Sequence, residues 1–223
     1  MQFTYHENAK EAVLNIENDN FKHLIKARRH KVSDEIAFRN LKDNYLYFYK
    51  IVSIDRKSAS LKLESKKEYI VKLDKQLHIA WCIVDPKTIE KELPYLNELG
   101  VSKITFIPCD YSQNNFKLNF EKMEKILVNS SQQCGRSDII KLELTNCLDE
   151  FIKENPNTYM LNFSNNSVDS KKDDIKTIII GCEGGFSSSE IDKFDKEKIV
   201  GFNTKLILKS QTAITAVAAK ILI

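Results

Sequence analysis

The fold is decided by the stretch Thr177-Ile178-Ile179-Ile180-Gly181-Cys182-Glu183-Gly184-Gly185-Phe186-Ser187-Ser188-Ser189-Glu190. Its β-branched beginning predicts a strand that ends at the first glycine. Two more glycines follow within four residues, and Ser187 and Glu190 then stand at the spacing of a helix capping box. The stretch therefore predicts a strand, a tight turn and a helix.

This turn offers two interpretations. Glycines let the backbone approach a ligand closely, and the first N–H groups of the next helix lack intrahelical partners, so a polar ligand fits the turn. The other interpretation is an ordinary turn with a structural role only. Gly181, Gly184 and Gly185 do not form G-x-G-x-x-G, and no Gly-Lys-Ser/Thr follows, which excludes two well-known phosphate-binding motifs.

The composition is typical of a globular chain. The 223 residues are 42% hydrophobic and 29% charged, which excludes a disordered protein. We expect a cytoplasmic protein, because no apolar run approaches the roughly 20 residues of a membrane span and the first residues do not form a signal peptide. The five cysteines are widely scattered without a C-x-x-C pair, which argues against a disulfide framework and a zinc site.

Residues 12–73 predict a small β-barrel or sandwich, because several short strand-like runs are separated by polar clusters. The predicted strands are 12–16, 35–39, 45–54, 60–63 and 69–71. Residues 1–75 carry a net charge of +5, whereas the remaining 148 residues carry −2. The basic part of the chain is therefore its N-terminal part.

A single helix is predicted among these strands, from Phe21 to about His30 with Asn20 as its N-cap. Phe21, Leu24 and Ile25 would face the barrel. The rest of the segment is basic, with no acidic residue between Phe21 and Ser33, and its cations are Lys22, Lys26, Arg28, Arg29 and Lys31. This face is either simply solvated or a surface for an anionic partner such as a nucleic-acid backbone.

From about residue 74, strands alternate with helices, which predicts a mostly parallel α/β sheet. The predicted strands are 77–84, 103–108, 139–144, 158–163 and 177–180, and the predicted helices are 88–99, 120–134 and 147–153. Residues 165–174 predict a loop. The final helix, which runs to Ile223, is rich in alanine and suits either core packing or packing against a second subunit.

Several blocks of the sequence resemble one family along nearly the whole chain. Gly181 to Glu190 resembles the G-P-E-G-G-[FL]-[ST]-x-x-E motif of the RsmE-type 16S rRNA (uracil-N3)-methyltransferases, a branch of the SPOUT methyltransferases. Residues 97–101 resemble the family's E-L-G-V, 133–136 its Q-C-G-R, 161–162 its L-N, 208–213 its L-R-[TS]-E-T-A and 23–29 its H-x-x-x-V-L-R.

The resemblance implies two domains. Residues 1–73 would form a PUA-like β-barrel that binds RNA, and residues 74–223 a SPOUT α/β domain with a C-terminal trefoil knot. It also implies a homodimer, with the alanine-rich final helix at the interface. The implied reaction is transfer of a methyl group from S-adenosyl-L-methionine to N3 of a uridine, at position 1498 in the decoding region of 16S rRNA, on the small ribosomal subunit. No metal is implied.

The resemblance also implies site residues. The cofactor would be held by three loops, through Leu161, Asn162, Gly181, Glu183, Gly184, Gly185, Leu206, Ile207, Leu208 and Thr212. The catalytic residues would be Lys209 and Gln211, because they occupy the positions of the family's arginine and glutamate. For RNA binding, the unbalanced positive charge of the basic segment predicts Lys22, Lys26, Arg28, Arg29 and Lys31, and Arg136 is a further candidate.

The chain departs from the family pattern at positions that matter for chemistry. Besides Lys209 and Gln211, Thr204 and Leu206 stand where the family has glycine and arginine, and Cys182 replaces a proline. A lysine keeps the charge of an arginine but loses its planar fork. Two alternatives therefore stay open, another SPOUT activity such as ribose 2′-O-methylation, or an RNA-binding relative without catalysis.

Overall fold

The computed structural model describes residues 2–113 and 117–223. The chain divides into two compact units. Unit 1 consists of Met1–Lys72 and Val128–Ile139, and unit 2 of Leu73–Leu127 and Ile140–Ile223. Every helix in the described ranges is too short or too polar to cross a bilayer. The RNA-binding role predicted for residues 1–73 stays a prediction.

Unit 1 is built on a five-stranded sheet with the order β1-β3-β4-β5-β2. Neighbouring strands are antiparallel except for the parallel pair of β1 and β3. The strands are β1 (Thr4–Tyr5), β2 (Val13–Ile16), β3 (Glu35–Arg39), β4 (Tyr45–Ile54) and β5 (Ala59–Glu68). Alternating buried and exposed residues, as in β2, place one face of the sheet on a hydrophobic core.

The predicted basic helix is present with different bounds. It begins as α1 (Asn18–Phe21) and continues as a π-helix over Lys22–Ala27. The predicted N-cap is wrong, because Glu17 precedes the helix and the Asn20 amide instead donates to the carbonyl of Tyr5 at 3.1 Å. The predicted apolar face is confirmed, since Phe21 and Leu24 are buried in the core and Ile25 packs against it.

The strand predicted over residues 69–71 is absent. Its backbone groups bond elsewhere instead of forming a ladder: the Tyr69 carbonyl accepts from the Arg39 guanidinium at 2.5 Å, and the Val71 N–H donates to Ser137 Oγ at 3.1 Å. Arg39 is fully buried between the rings of Phe3 and Tyr69. Side chains therefore satisfy these backbone hydrogen-bonding groups, which explains why the strand-like residues 69–71 form no strand.

Unit 2 contains a six-stranded parallel sheet with the order β11-β9-β10-β6-β7-β8, as the alternation of strands and helices predicts. The strands are β6 (His78–Cys82), β7 (Lys103–Ile107), β8 (Lys141–Leu144), β9 (Tyr159–Leu161), β10 (Thr177–Ile180) and β11 (Ile199–Val200). The helices of unit 2 are α2 (Pro86–Glu98), α4 (Leu148–Glu154), α5 (Val168–Lys171), α6 (Ser188–Ile191) and α7 (Ser210–Leu222). Helix α3 (Phe120–Cys134) begins in unit 2 and ends in unit 1. A short 3₁₀-helix, Lys196–Lys198, precedes β11.

Two short elements of unit 2 differ from the sequence-based prediction. Residues 165–174 are not simply a loop, because α5 begins after Ser167, whose hydroxyl accepts from the Asp169 N–H. The two-residue strand β11 was not predicted at all. It lies at the edge of the sheet beside β9, and its length is too short to give a periodic hydrophobic pattern.

Two of the cysteines form a disulfide. Cys82 ends β6 and Cys109 lies two residues beyond β7, and a disulfide joins them across a Cα–Cα distance of 5.7 Å. The two strands are parallel neighbours, with Cys82 opposite Ile107. Scattered spacing argues against a disulfide framework, but it does not reveal that strand register brings this one pair together.

Candidate active site

Three loops meet at the carboxyl-terminal edge of the parallel sheet, because they follow three neighbouring strands. These strands are β9, β10 and β11, which lie side by side in the order β11-β9-β10. Ligands of open α/β sheets commonly bind at this edge. The loops enclose a cavity of about 610 Å³, within the usual range for small-molecule sites.

Nine of the ten predicted cofactor residues line this first cavity. They are Leu161, Asn162, Gly181, Glu183, Gly184, Gly185, Leu206, Ile207 and Leu208. The tenth, Thr212, lies on α7 and does not line the cavity, whereas Ser210 and Ala213 of the same helix do. The structure thus brings together predicted residues that run from Leu161 to Leu208 in the sequence, while their individual roles stay predictions.

The glycine turn leaves little room for side chains. A Cβ built on Gly184 would lie 2.8 Å from Tyr111 Cβ, and one built on Gly181 would lie 3.2 Å from the backbone of Gly185. Gly185 has a φ of +73°, a conformation that side chains disfavour. The turn is closed by a hydrogen bond of 3.0 Å from the Gly185 N–H to the Cys182 carbonyl.

The predicted capping box after the turn is present. The Ser187 side chain accepts from the Glu190 N–H, and the Glu190 carboxylate accepts from the Ser187 N–H at 2.9 Å. The other oxygen of this carboxylate accepts from the Asp110 N–H at 3.0 Å. The carboxylate is buried and bonds both α6 and the loop after β7, so it fixes the end of the glycine turn against a neighbouring loop.

The start of α7 is bonded to the same turn by Ser210. Its hydroxyl donates to the Gly181 carbonyl at 2.5 Å and accepts from the Trp81 indole N–H at 2.9 Å. Trp81 is fully buried in β6 and Ser210 is 5% exposed. Three elements are therefore joined at one hydroxyl, and sequence reasoning missed this contact because 129 positions separate the two side chains.

Two other groups near the turn can be assigned from their surroundings. Burial raises the pKa of the Cys182 thiol, so it stays protonated at neutral pH and is a poor nucleophile. The Glu183 carboxylate is exposed, lines the cavity and forms no hydrogen bond or ion pair with the part of the chain that the structure describes. It is therefore available to a positively charged ligand.

The predicted catalytic residues lie beside the cavity rather than in its wall. Lys209 is exposed at the N-cap of α7, between the lining residues Leu208 and Ser210. Gln211 is half-buried in the first turn of the same helix. Neither lines the cavity, so their predicted roles in catalysis stay predictions.

The predicted RNA-binding residues all lie in unit 1, but they differ in exposure. The side chains of Lys22, Lys26, Arg28, Arg29 and Lys31 are exposed. Lys22 lies 3.6 Å from the exposed Asp19, and Lys26 lies 5.4 Å from the centre of the Phe21 ring. Arg136 differs, because it is buried and its Nε donates to Asp138 at 2.5 Å.

Comparison with known proteins agrees with this fold. The family model of an RNA methyltransferase domain matches residues 71–222, and that of an RNA methyltransferase PUA domain matches residues 16–64. These matches place the chain in the class of RNA methyltransferases with a PUA domain. A ribosomal RNA small subunit methyltransferase E of Helicobacter pylori (strain ATCC 700392 / 26695) is 40% identical over 222 residues, which cover 98% of each chain. The chain belongs to the ribosomal RNA small subunit methyltransferase E family.

Solved structures share the fold over nearly the whole chain. A probable rRNA-methyltransferase from Porphyromonas gingivalis gives a TM-score of 0.80 at 18% identity, covering 99% of this chain and 96% of that chain. A ribosomal RNA small subunit methyltransferase E from Neisseria gonorrhoeae, bound to S-adenosyl methionine, gives 0.78 at 15% identity, covering 98% and 95%. The predicted fold class is confirmed as a PUA-like domain with a parallel-sheet α/β methyltransferase domain, whereas its assignment to the SPOUT superfamily and the trefoil knot stay predictions.

Proposed function

We propose that this protein transfers a methyl group from S-adenosyl-L-methionine to N3 of a uridine in the decoding region of 16S rRNA. Membership of the family supports rRNA methylation, and the observation that carries the proposal is the meeting of nine predicted cofactor residues around one cavity. That arrangement unites loops after β9, β10 and β11, which is the set the family resemblance implies.

The cavity fits the cofactor in size, backbone and charge. Its volume of about 610 Å³ suits a nucleoside with an amino-acid tail. The open glycine turn lets backbone N–H and C=O groups approach adenine edges and ribose hydroxyls. The exposed Glu183 carboxylate complements the sulfonium and ammonium charges. Bound there, the cofactor would supply an electrophilic methyl group.

The residues of the chain would orient the reactants and stabilise charge. Ser210 and Glu190 hold the glycine turn in place, which keeps the cavity preorganised. N3 of uracil is a poor nucleophile until its proton is removed, so a cation near the base would stabilise the developing anion. We assign this role to Lys209, which is exposed between two cavity-lining residues, and assign Gln211 to hydrogen bonding beside it.

Unit 1 would bind the rRNA. Its five exposed cations on the segment 22–31 form a basic surface, which attracts the phosphate backbone. Arg136 would support this unit through its contact with Asp138 rather than by reaching a distant phosphate. Replacing Lys26, Arg28 and Arg29 together with alanine is expected to weaken RNA binding and flatten its salt dependence while sparing cofactor affinity. An unchanged salt slope would show that the surface is only solvated.

The proposal includes a cytoplasmic homodimer that acts on the small ribosomal subunit and uses no metal. In the final helix, Ala216 and Ala219 are partly exposed and Ile223 is 87% exposed. Small side chains let a second helix approach closely, which suits an interface between copies of the chain. Sedimentation equilibrium of the purified protein tests this, and a monomer at micromolar concentration would contradict it.

The central experiment joins binding to product analysis. Calorimetric titration with S-adenosyl-L-methionine should give a heat of binding, and 16S rRNA from cells lacking the protein should lose one N3-methyluridine in mass spectrometry. Restoring the gene should restore the modification. Intact N3-methyluridine in the deletion strain would refute the proposal, and loss of a 2′-O-methyl nucleoside instead would identify a ribose methyltransferase.

A second candidate is an RNA-binding relative that has lost catalysis. It is favoured by one observation, that neither Lys209 nor Gln211 lines the cavity. This candidate predicts binding to the small subunit with no heat of cofactor binding. Binding of the cofactor followed by methylation of purified subunits would refute it.

A further inference from the structure

A second cavity of about 490 Å³ adjoins the first at the same edge of the sheet. The two share Ser164, Asn165, Phe202 and Thr204 in their walls. The second is completed by Ser167, Gly201, Asn203 and Lys205. Ligands held in these two cavities would therefore be neighbours across a common wall.

The two cavities differ in charge. Among the described residues, Glu183 is the one charged residue that lines the first cavity, and Lys205 is the one that lines the second. Both side chains are exposed, and neither forms an ion pair within the described residues. The first cavity therefore favours a cationic ligand and the second an anionic one.

The polar groups of the second cavity fall into two sets. Three hydroxyls are already used by the fold: Ser164 Oγ donates to the Ile199 carbonyl at 2.8 Å, Ser167 Oγ accepts from the Asp169 N–H at 3.1 Å, and Thr204 Oγ1 accepts from the Leu206 N–H at 3.1 Å. By contrast, the side chains of Asn165, Asn203 and Lys205 form no hydrogen bond within residues 2–113 and 117–223. They remain available as two amides and one ammonium group.

We propose that the second cavity receives the target nucleotide of the RNA and that Lys205 pairs with a phosphate of that nucleotide. The inference rests on the proposed function, since it assigns the second reactant of the same reaction. Lysine is a flexible point charge suited to phosphate, and amide side chains suit the carbonyl and hydroxyl groups of a nucleoside. The common wall would bring the base close to the methyl donor, as transfer requires.

The assignment explains why Glu183 lines the first cavity and Lys205 the second. S-adenosyl-L-methionine carries a sulfonium, an ammonium and a carboxylate group and is therefore a net cation, so it matches the cavity with Glu183, whereas RNA matches the cavity with Lys205. Exchanging the two ligands would place each beside a charge of its own sign. The charges therefore determine which cavity each reactant occupies.

The test compares Lys205→Gln and Lys205→Arg with the control Lys153→Gln. Lys153 is an exposed lysine of α4 that lines neither cavity and forms no ion pair with the described residues. The substrate is small ribosomal subunits purified from cells that lack the protein. Methyl transfer is followed at several KCl concentrations and fixed Mg²⁺, and cofactor affinity is measured by calorimetry.

For Lys205→Gln we expect KM for the subunits to rise about 5- to 10-fold, since one phosphate contact is lost. The slope of log(kcat/KM) against log salt should become shallower by about 0.7 to 0.9. Cofactor affinity and kcat should stay within about twofold of the wild type. Lys205→Arg should retain most of the affinity, and Lys153→Gln should match the wild type.

Two results would overturn the inference and leave the proposed function standing. If Lys205→Gln left KM and the salt slope unchanged while the wild type methylated subunits, the second cavity would not bind the nucleotide and the proposed function would stand. If Lys205→Gln weakened cofactor binding instead, Lys205 would belong to the cofactor site. Failure of the wild type to methylate any subunit is a different result, which would remove the proposed function and this inference with it.

Discussion

Replacing Ser210 with alanine removes the hydroxyl that joins β6, the glycine turn and α7. In the wild type this hydroxyl accepts from the Trp81 indole N–H at 2.9 Å and donates to the Gly181 carbonyl at 2.5 Å. Trp81 is fully buried in the wild type, so its N–H would lose its partner at a position that water does not reach there. We expect Ser210→Ala to lower the free energy of unfolding and to loosen the turn that lines the cavity.

The magnitude follows from the groups left unpaired. A buried donor without a partner costs about 1–3 kcal/mol. The Gly181 carbonyl belongs to a half-buried residue and is reachable by water, so it adds little. We therefore expect a loss of about 2 kcal/mol. Because Gly181 lines the first cavity, affinity for S-adenosyl-L-methionine should also fall, by about 10-fold if the substitution destabilises the bound protein by about 1.4 kcal/mol more than the free protein.

A double-mutant cycle in urea separates the hydrogen bond from packing. Trp81→Phe removes the donor, so adding Ser210→Ala to it should cost about 1–2 kcal/mol less than adding it to the wild type. Ser188→Ala is the control, because Ser188 is exposed and its hydroxyl has no partner among the described residues. It should change the free energy of unfolding by less than about 0.5 kcal/mol. Additivity of the two buried substitutions within about 0.3 kcal/mol would refute this reasoning.

Three further predictions concern the turn, its cap and a half-buried histidine. Gly184→Ala should weaken cofactor binding at least about 10-fold in calorimetry, because the new Cβ would lie 2.8 Å from Tyr111 Cβ. Glu190→Gln should cost about 1–2 kcal/mol in urea unfolding, since one amide cannot accept equally well from two N–H groups. Burial, together with nearby Lys103, lowers the pKa of His78 to about 4, so folding favours its neutral form. Stability should be complete above about pH 6.5 and fall by about 2–3 kcal/mol as the pH drops to 4, and His78→Gln should abolish this loss.

Each of these predictions has an outcome that contradicts it. Normal cofactor affinity in Gly184→Ala would mean that the loop carrying Tyr111 moves aside without cost. Wild-type unfolding of Glu190→Gln would mean that the second carboxylate oxygen contributes nothing. A wild-type slope of stability against pH between 6.5 and 4 in His78→Gln would show that other groups cause the acid loss.

The local structure of the glycine turn could be predicted from the sequence. Both ends of β10 agree with the prediction, because β-branched residues form the strand and a glycine directly follows it. The capping box agrees as well, because it depends only on the spacing of Ser187 and Glu190. Helix α3 and its terminal Gly135, with a φ of +83°, were predicted for the same reason. Where the chemistry is local, the pattern of residues is sufficient.

The assembly of the site could not be predicted from periodicity. The three loops meet because β11, β9 and β10 are neighbours, and strand order is a property of the whole sheet. The family resemblance supplied nine of the residues that line the first cavity, but it did not supply the contact between Trp81 and Ser210 or the second cavity. Both depend on side chains that meet only after the sheet has formed.

The polar residues around the site fall into two groups, those with hydrogen-bond partners inside the protein and those without partners among the described residues. Ser210 and Glu190 are buried with partners, and removing them should cost stability before it costs chemistry. Glu183, Asn203 and Lys205 are exposed without partners among the described residues, so removing them should leave stability intact and change binding. This division gives each substitution an expected signature, because a loss of affinity at constant stability can come only from a group that faces the ligand.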